Sequence, residues 1–342
     1  MPSVGPSFAI EVFHSATELP ILVWDAFRAH PCDSNIMYPH AEKSREQERQ
    51  GGSSLGLWIT CTTSSTRGTP VVDFVLSCTE GPLGSYPIFL FTTISKTVQH
   101  SDYCSRRVNH ITRRLVREVA PERVFSVFAP DQVTRTFASA WSTETGIRLD
   151  SNAVYYAAKS TYCTKRSLRH KADTLLPGVE YDTRPAQDRD LAACAELCYG
   201  FAKESEPFIL SEERALEEAR LLISKRQLWV HEIRKEGEPS EIASIVAVTR
   251  TSETVAGITK VYTNPKWRQR GCAERLVRKV CKHLLKNKDR VVLYVAHNNP
   301  AAAKVYDRVG FVGLARSPEP VEGVDSWLEL GFDHHHVQLG HW

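Results

Sequence analysis

A basic, glycine-containing junction between a strand and a helix is the first stretch of this sequence that could do chemistry. Arg268, Arg270 and Gly271 precede a segment whose apolar residues recur at helical spacing between positions 273 and 285. A helix N-terminus has unpaired N–H groups and partial positive charge, and glycine lets a ligand approach the backbone. Two neighbouring cations would complete a pyrophosphate site. An ordinary strand–turn–helix with a basic cap is the alternative interpretation, because glycine-rich turns occur widely.

A second block, residues 291–314, could supply a proton donor. An apolar strand at residues 291–296 precedes a predicted helix that contains Tyr306. A phenol has a pKa near ~10, so it is protonated at neutral pH and can donate. Taken alone, Tyr306 is better explained as a core aromatic on an apolar helix face.

Together the two blocks resemble consecutive motifs of the GNAT-type N-acetyltransferases. The acyl-coenzyme A motif of that family, Arg/Gln-x-x-Gly-x-Gly/Ala, matches Arg268, Gly271 and Ala273. The next block of the family, Asn-x-x-Ala-x-x-x-Tyr-x-x-x-Gly-Phe, matches Asn299, Ala302, Tyr306, Gly310 and Phe311. The run Val-Tyr-Thr-Asn-Pro before the junction also resembles fungal members. The resemblance covers residues 180–330 well and the first half of the chain only faintly.

The resemblance implies an acetyl-CoA site in which the pantetheine arm lies between two parted strands. Tyr306 would protonate the leaving thiolate. The residues implied in binding acetyl-CoA are Val261, Tyr262, Thr263, Arg268, Gln269, Arg270, Gly271, Cys272, Ala273, Asn299 and Ala302.

The acceptor side is less well defined. The candidates for substrate contact are Glu206, Phe208, Glu232 and Trp327. The strand at residues 255–263 contains no carboxylate, so the general base could be Glu232, Glu206, His231, His297 or an ordered water. We expect no metal site, because the histidine run at residues 334–336 has no second ligand cluster in the sequence.

The elements around these motifs predict a mixed α/β fold in two related lobes. Residues 124–147 can be aligned with residues 291–314, which indicates a weak internal repeat. We therefore predict a degenerate GNAT-like lobe at residues 1–165, a linker at 166–185 and a catalytic lobe at 186–342. Residues 89–104, the counterpart of the junction, contain no glycine, so the first lobe should not bind a pyrophosphate in this way.

Composition excludes several classes of protein. A net charge of +3 over 342 residues is too small to indicate nucleic acid or a membrane surface. No apolar run approaches the roughly 18 residues of a membrane span, and no secretory signal is visible. Nine scattered cysteines suggest reduced thiols, so we expect a cytoplasmic protein, or alternatively a nuclear one.

Three functions remain. The first is acetyl transfer from acetyl-CoA to the primary amine of a small molecule. The second is a lysine or N-terminal protein acetyltransferase, which needs an open peptide groove. The third is a non-catalytic CoA-binding protein. The sequence predicts neither the acceptor nor the oligomeric state.

Overall fold

The computed structural model describes residues 7–52, 56–64, 69–171, 178–315 and 320–341. The chain divides into two compact units, Met1–Ala158 with Ser326–Trp342, and Lys159–Asp325. Both units contain strands and helices, and the sheet contains parallel and antiparallel pairs, which confirms the predicted mixed α/β class.

The first half of the chain contains the following elements: β1 (Ser7–Phe13), α1 (Ile21–Ala29), α2 (Tyr38–Arg49), β2 (Gly56–Ser64), β3 (Val71–Gly81), β4 (Gly84–Ser85), β5 (Ile88–Thr92), α3 (Lys96–Gln99), α4 (Asp102–Val116), β6 (Ser126–Pro130), α5 (Asp131–Thr145) and β7 (Leu149–Thr164).

The second half repeats this order: β8 (Val179–Pro185), α6 (Leu191–Lys203), α7 (Glu212–Ser224), β9 (Leu228–Lys235), β10 (Glu241–Thr251), β11 (Val255–Thr263), α8 (Cys272–Leu284), β12 (Arg290–Ala296), α9 (Pro300–Val309) and β13 (Asp325–Phe332). Apart from the extra short helix α3 in the first half, strand–helix–helix is followed in each half by a run of strands, then helix, strand, helix and a final strand.

The sheet of the first unit has the order β1-β2-β3-β5-β6-β13. Its pairs are antiparallel except β5 with β6, which is parallel. Helices α4 and α5 bury one face of this sheet, with Phe137 and Trp141 fully enclosed.

The sheet of the second unit has the order β12-β11-β10-β9-β8, and only β11 with β12 is parallel. Successive strand residues point to opposite faces. Trp229 and Val246 therefore pack with helices α8 and α9, whereas Val230 and Ile245 pack with α6 and α7. Ser211 caps α7 by accepting the N–H of Arg214 at 3.2 Å.

Two predicted boundaries differ from the structure. Strand β8 lies within residues 166–185, which were predicted to be a linker. Strand β13 falls within the predicted catalytic lobe at 186–342, but it pairs with β6, from Trp327 opposite Pro130 to Gly331 opposite Ser126. The reason is that an apolar alternating pattern predicts a strand but does not specify which neighbour completes its ladder.

All nine cysteines are buried and none is in a disulfide, in agreement with the expectation of reduced thiols.

Candidate active site

Strands β11 and β12 pair only at their beginnings. Their parallel register ends at Gly257 opposite Val292, although β11 continues to Thr263 and β12 to Ala296. The two strands therefore diverge and leave a gap. An extended ligand can lie in such a gap and hydrogen-bond to strand backbone, as an added strand would.

Alternate peptide groups of β11 face this gap. Asn264 donates its N–H to the carbonyl of Ala243 in β10 at 2.9 Å, and in an antiparallel ladder such bonds recur at every second residue. Tyr262 consequently bonds towards β10. Val261 and Thr263 direct their backbone groups towards the gap, where the resemblance assigns the pantetheine contacts.

The loop after β11 turns its backbone into the start of α8. A single helical turn at Pro265–Trp267 is followed by two residues with left-handed backbone, Gln269 (φ 62°) and Gly271 (φ 73°). The first intrahelical bond of α8 runs from the N–H of Arg275 to the carbonyl of Gly271, at 3.0 Å. The N–H groups of Cys272 and Ala273 therefore have no acceptor within the helix, and they lie at its positive end. This loop has the backbone geometry of an anion site.

The arginine of the motif is already in an ion pair. The guanidinium of Arg268 lies 2.6 Å from Glu204 and donates to the carbonyl of Thr263 at 3.2 Å. The hydroxyl of Tyr262 also donates to Glu204, at 3.1 Å. Hydrogen bonding to Glu204 raises the pKa of Arg268. Arg270 instead stacks over the ring of Trp267, 5.1 Å from its centroid.

Arg275, which was not among the residues predicted from the sequence, stabilises the loop at residues 268–273. Its buried guanidinium donates to the carbonyl of Arg270 at 2.8 Å and to Nε2 of His231 at 3.1 Å. Burial and the neighbouring Arg275 lower the pKa of His231 to about 4, so this histidine is neutral at physiological pH. The sequence signal for this role would have been an arginine on the apolar face of a helix, where it needs partners.

Tyr306 lies on α9, within the apolar cluster that α8 and α9 form on the sheet. It is 8% exposed, and burial raises its pKa above the ordinary value of a phenol. Across the described parts of the chain, no hydrogen bond is formed by its hydroxyl. A protonated phenol without an acceptor of its own remains available as a donor.

Asn299 and Ala302 contact each other at the start of α9. The side-chain oxygen of Asn299 accepts the N–H of Ala302 at 3.0 Å, so Asn299 is the N-cap of this helix. The cap uses the oxygen of the amide and leaves its NH₂ group as the part available to a ligand.

The four residues assigned to the acceptor lie at separate places in the fold. Glu206 and Phe208 are in the loop between α6 and α7. Glu232, on β9, is in an ion pair with Arg184, 2.6 Å away. Trp327 is buried in β13 of the first unit, whereas the other three belong to the second. Glu232 and Trp327 are thus parts of other contacts.

A cavity of about 680 Å³ lies beside β8, β9 and α6 in the second unit. Carboxylates dominate its lining, including those of Glu180, Asp182 and Glu196, whereas Arg189 and Arg234 are its cations. An acidic cavity does not suit a phosphate-bearing cofactor. We therefore place the candidate active site at the β11–β12 gap.

The histidine run near the C-terminus has carboxylate neighbours that the sequence analysis did not foresee. Ligand atoms of Asp333, His334 and His335 lie within 4.8 Å of one another. Nδ1 of His334 is 2.8 Å from the carboxylate of Asp150. Hydrogen bonding to Asp150 raises the pKa of His334.

Comparison with known proteins supports the GNAT resemblance of the second half of the chain. Residues 190–311 match the family model of the acetyltransferase (GNAT) family. None of the curated proteins matches the sequence. Across the described residues, no helix has the length and apolarity needed to cross a membrane.

Several solved structures align with almost the whole chain. An X-ray structure of a Drosophila protein has a TM-score of 0.57 at 12% identity, covering 95% of this chain and 99% of that one. A tandem GNAT protein from the clavulanic acid biosynthesis pathway gives 0.48 at 13% identity, covering 95% and 98%. A GNAT-family acetyltransferase from Colwellia psychrerythraea gives 0.49 at 11% identity, covering 95% and 100%.

Residues 190–311 form an acetyltransferase domain of the GNAT type, and this domain supports an acetyl-CoA-dependent N-acetyltransferase. Enzymes of this family bind an acyl-CoA and an acceptor substrate.

Proposed function

We propose that the protein transfers an acetyl group from acetyl-CoA to the primary amine of a small molecule. The divergence of β11 and β12 after Gly257 carries this proposal, because it leaves the backbones of Val261 and Thr263 facing a gap that a pantetheine arm can occupy. The loop at residues 268–273 would hold the diphosphate through backbone N–H groups at the start of α8.

A small acceptor is favoured by the cover over the opposite face of β11. Helices α6 and α7 pack on that face, where Tyr262 is buried, and Glu204 in the connecting loop is paired with Arg268. We expect this cover to leave room for a small acceptor, whereas an acceptor peptide needs an open groove. Turnover with an amine library against a pool of peptides distinguishes the two classes.

Transfer in this arrangement needs no covalent intermediate on the enzyme. The amine nitrogen would attack the thioester carbonyl, and the C–S bond would break as Tyr306 donates its proton to the departing sulfur. Residues that hold the thioester in place, above all the β11 backbone, would supply much of the rate by orientation.

The first prediction concerns the diphosphate loop. Gly271→Glu should weaken acetyl-CoA binding at least 100-fold, because a carboxylate would occupy the position of the diphosphate. Arg268→Glu should weaken acetyl-CoA binding about 10-fold or more, because it replaces a cation with a carboxylate that also repels the carboxylate of Glu204. Isothermal titration of each variant with acetyl-CoA measures both effects.

Gly237→Glu is the matched control for this prediction. Gly237 has φ 75°, close to the 73° of Gly271, and nothing lies within 4 Å of an added Cβ. A side chain at Gly237 therefore meets a similar backbone strain, but it lies outside the diphosphate loop. Wild-type affinity in both loop variants would show that the diphosphate lies elsewhere.

A further inference from the structure

A buried ion pair joins β11 to α7 on the face opposite Tyr306. Nζ of Lys260 lies 2.5 Å from a carboxylate oxygen of Glu218, and the two side chains are 9% and 14% exposed. The centroid of the Phe201 ring lies 4.9 Å from the ammonium of Lys260. Removing two charges from water is costly, and apolar residues often stabilise a core equally well. The pair therefore needs an explanation beyond packing.

The position of Lys260 along its strand is unusual. The register between β10 and β11 shifts between Ala247, opposite Lys260, and Val248, opposite Ile258, so Thr259 is an extra residue. Such bulges re-aim the neighbouring side chains. Lys260 also lies just past Gly257, where β11 and β12 separate. Lys260 therefore leaves the strand near the start of the gap, and its side chain points to α7.

The two faces of β11 supply different chemistry. Ile258 and Val261 pack in the cluster that contains Tyr306. Tyr262 packs with α6 and α7, and Lys260, two residues before it, faces the same way. A thioester in the gap would therefore have a phenol on one side and a carboxylate on the other.

We propose that Glu218 is the proton acceptor for the attacking amine and that Lys260 positions its carboxylate towards the gap. This inference rests on the proposed function. The C–N bond forms as the amine attacks, and the nitrogen passes one proton to Glu218. The C–S bond then breaks and the sulfur takes one proton from Tyr306. Solvent removes the proton from Glu218 and returns one to Tyr306, so charges and protons balance.

The other candidates for the base are placed less well. His231 is fully buried and its Nε2 accepts from Arg275. Glu232 is held by Arg184, and Glu206 and His297 are exposed. Strand β11 has no carboxylate of its own, so α7 supplies one from 42 residues earlier in the chain.

The groups around Glu218 come from two other elements. Lys260 faces it from β11. The Cys198 thiol faces it from α6, and burial raises the pKa of that thiol to about 12, so it remains protonated and does not compete for the proton. On α7 itself, the neighbouring Glu217 points to solvent and pairs with Arg214 at 3.5 Å.

The test compares Glu218→Gln with Glu218→Asp, using the full chain, acetyl-CoA and the best amine found. We expect Glu218→Gln to lower kcat by about 10² to 10⁴-fold while the Kd for acetyl-CoA stays unchanged. Glu218→Asp should recover part of the rate. The residual rate of Glu218→Gln should rise with pH in proportion to the neutral fraction of the free amine, because no acceptor is left on the enzyme.

Glu217→Gln is the control and should keep the wild-type kcat. Should Glu218→Gln fold poorly, the double variant Glu218→Gln/Lys260→Met removes both charges and leaves no unpaired ion. A folded variant of either kind with wild-type kcat and pH profile would overturn this assignment while leaving the proposed function intact. A wild-type protein that does not bind acetyl-CoA would overturn both.

Discussion

The surroundings of two residues, Tyr306 and Arg275, suit them to different roles in the candidate site. Tyr306 is enclosed by apolar side chains, and burial raises its pKa, so the phenol keeps its proton until a strong base such as a thiolate approaches. Arg275 is buried beneath the loop and holds the Arg270 carbonyl. A residue without direct contact with the ligand can thus determine the shape of the backbone that binds it.

At this scale we predict that Tyr306→Phe lowers kcat by about 100-fold or more and leaves the Kd for acetyl-CoA unchanged. Since no hydrogen bond of the hydroxyl is seen in the described chain, its removal should change the melting temperature little. Steady-state kinetics and thermal unfolding measure the two quantities. Tyr162→Phe, which removes only a bond to the Glu322 carbonyl at 3.2 Å, is the control. Unchanged turnover in Tyr306→Phe would show that another group protonates the thiolate.

At the scale of elements, both units contain a parallel strand pair that ends early, but they differ at the start of the helix that would bind an anion. The parallel pair β5–β6 also ends early, at Ile88 opposite Val127 and Phe89 opposite Phe128. The first unit therefore has diverging strands too. Its α4, however, begins with Asp102, whose carboxylate lies at the helix end that an anion would need. The preceding residues 93–101 contain no glycine.

We therefore predict that the chain binds acetyl-CoA once and that the site is in the second unit. Isothermal titration should give a stoichiometry near one for the wild type and no measurable binding for Gly271→Glu. A stoichiometry of two, or one site that survives Gly271→Glu, would show that the first unit binds the cofactor as well. The physical reason for one site is the loop backbone, since both sheets offer diverging strands.

At the scale of the whole molecule, a histidine with a buried ring nitrogen in each unit links stability to pH. Nε2 of His40 in the first unit and Nδ1 of His231 in the second are buried without a hydrogen-bond partner in the described chain. Burial, the main cause in both, lowers the pKa of each to about 4. In the unfolded chain each histidine has a pKa of ~6.5, so below that pH the unfolded state binds more protons than the folded state.

Stability should therefore be highest above pH 6.5 and should fall as the pH drops towards 4, by about 2 kcal/mol per histidine at pH 5. His40→Gln should reduce this loss in the first unit and His231→Gln in the second. Hydrogen exchange at pH 7.5 and pH 5 reports on each unit separately, which matters because a two-unit chain need not unfold in one step. His297→Gln, at an exposed position, is the control. Equal pH dependence in all variants would contradict the link.

The sequence by itself could predict those parts of the candidate site whose residues are close together in the chain. The junction at residues 268–273 depends on a glycine, a helix start and a strand end, all of which are neighbours in the chain. Tyr306 and Asn299 follow in one block whose spacing specifies a strand and then a helix. The order of the elements is equally local, because it rests on hydrophobic periods of two and 3.6 residues.

Only the tertiary structure decided the features that join distant segments. Strand β13 pairs with β6, and Lys260 meets Glu218 from a helix 42 residues earlier. The gap itself depends on where the β11–β12 ladder stops, at Gly257. None of these has a local signal, because pairing partners are set by how whole elements pack, and the period of a segment only says that it needs a partner.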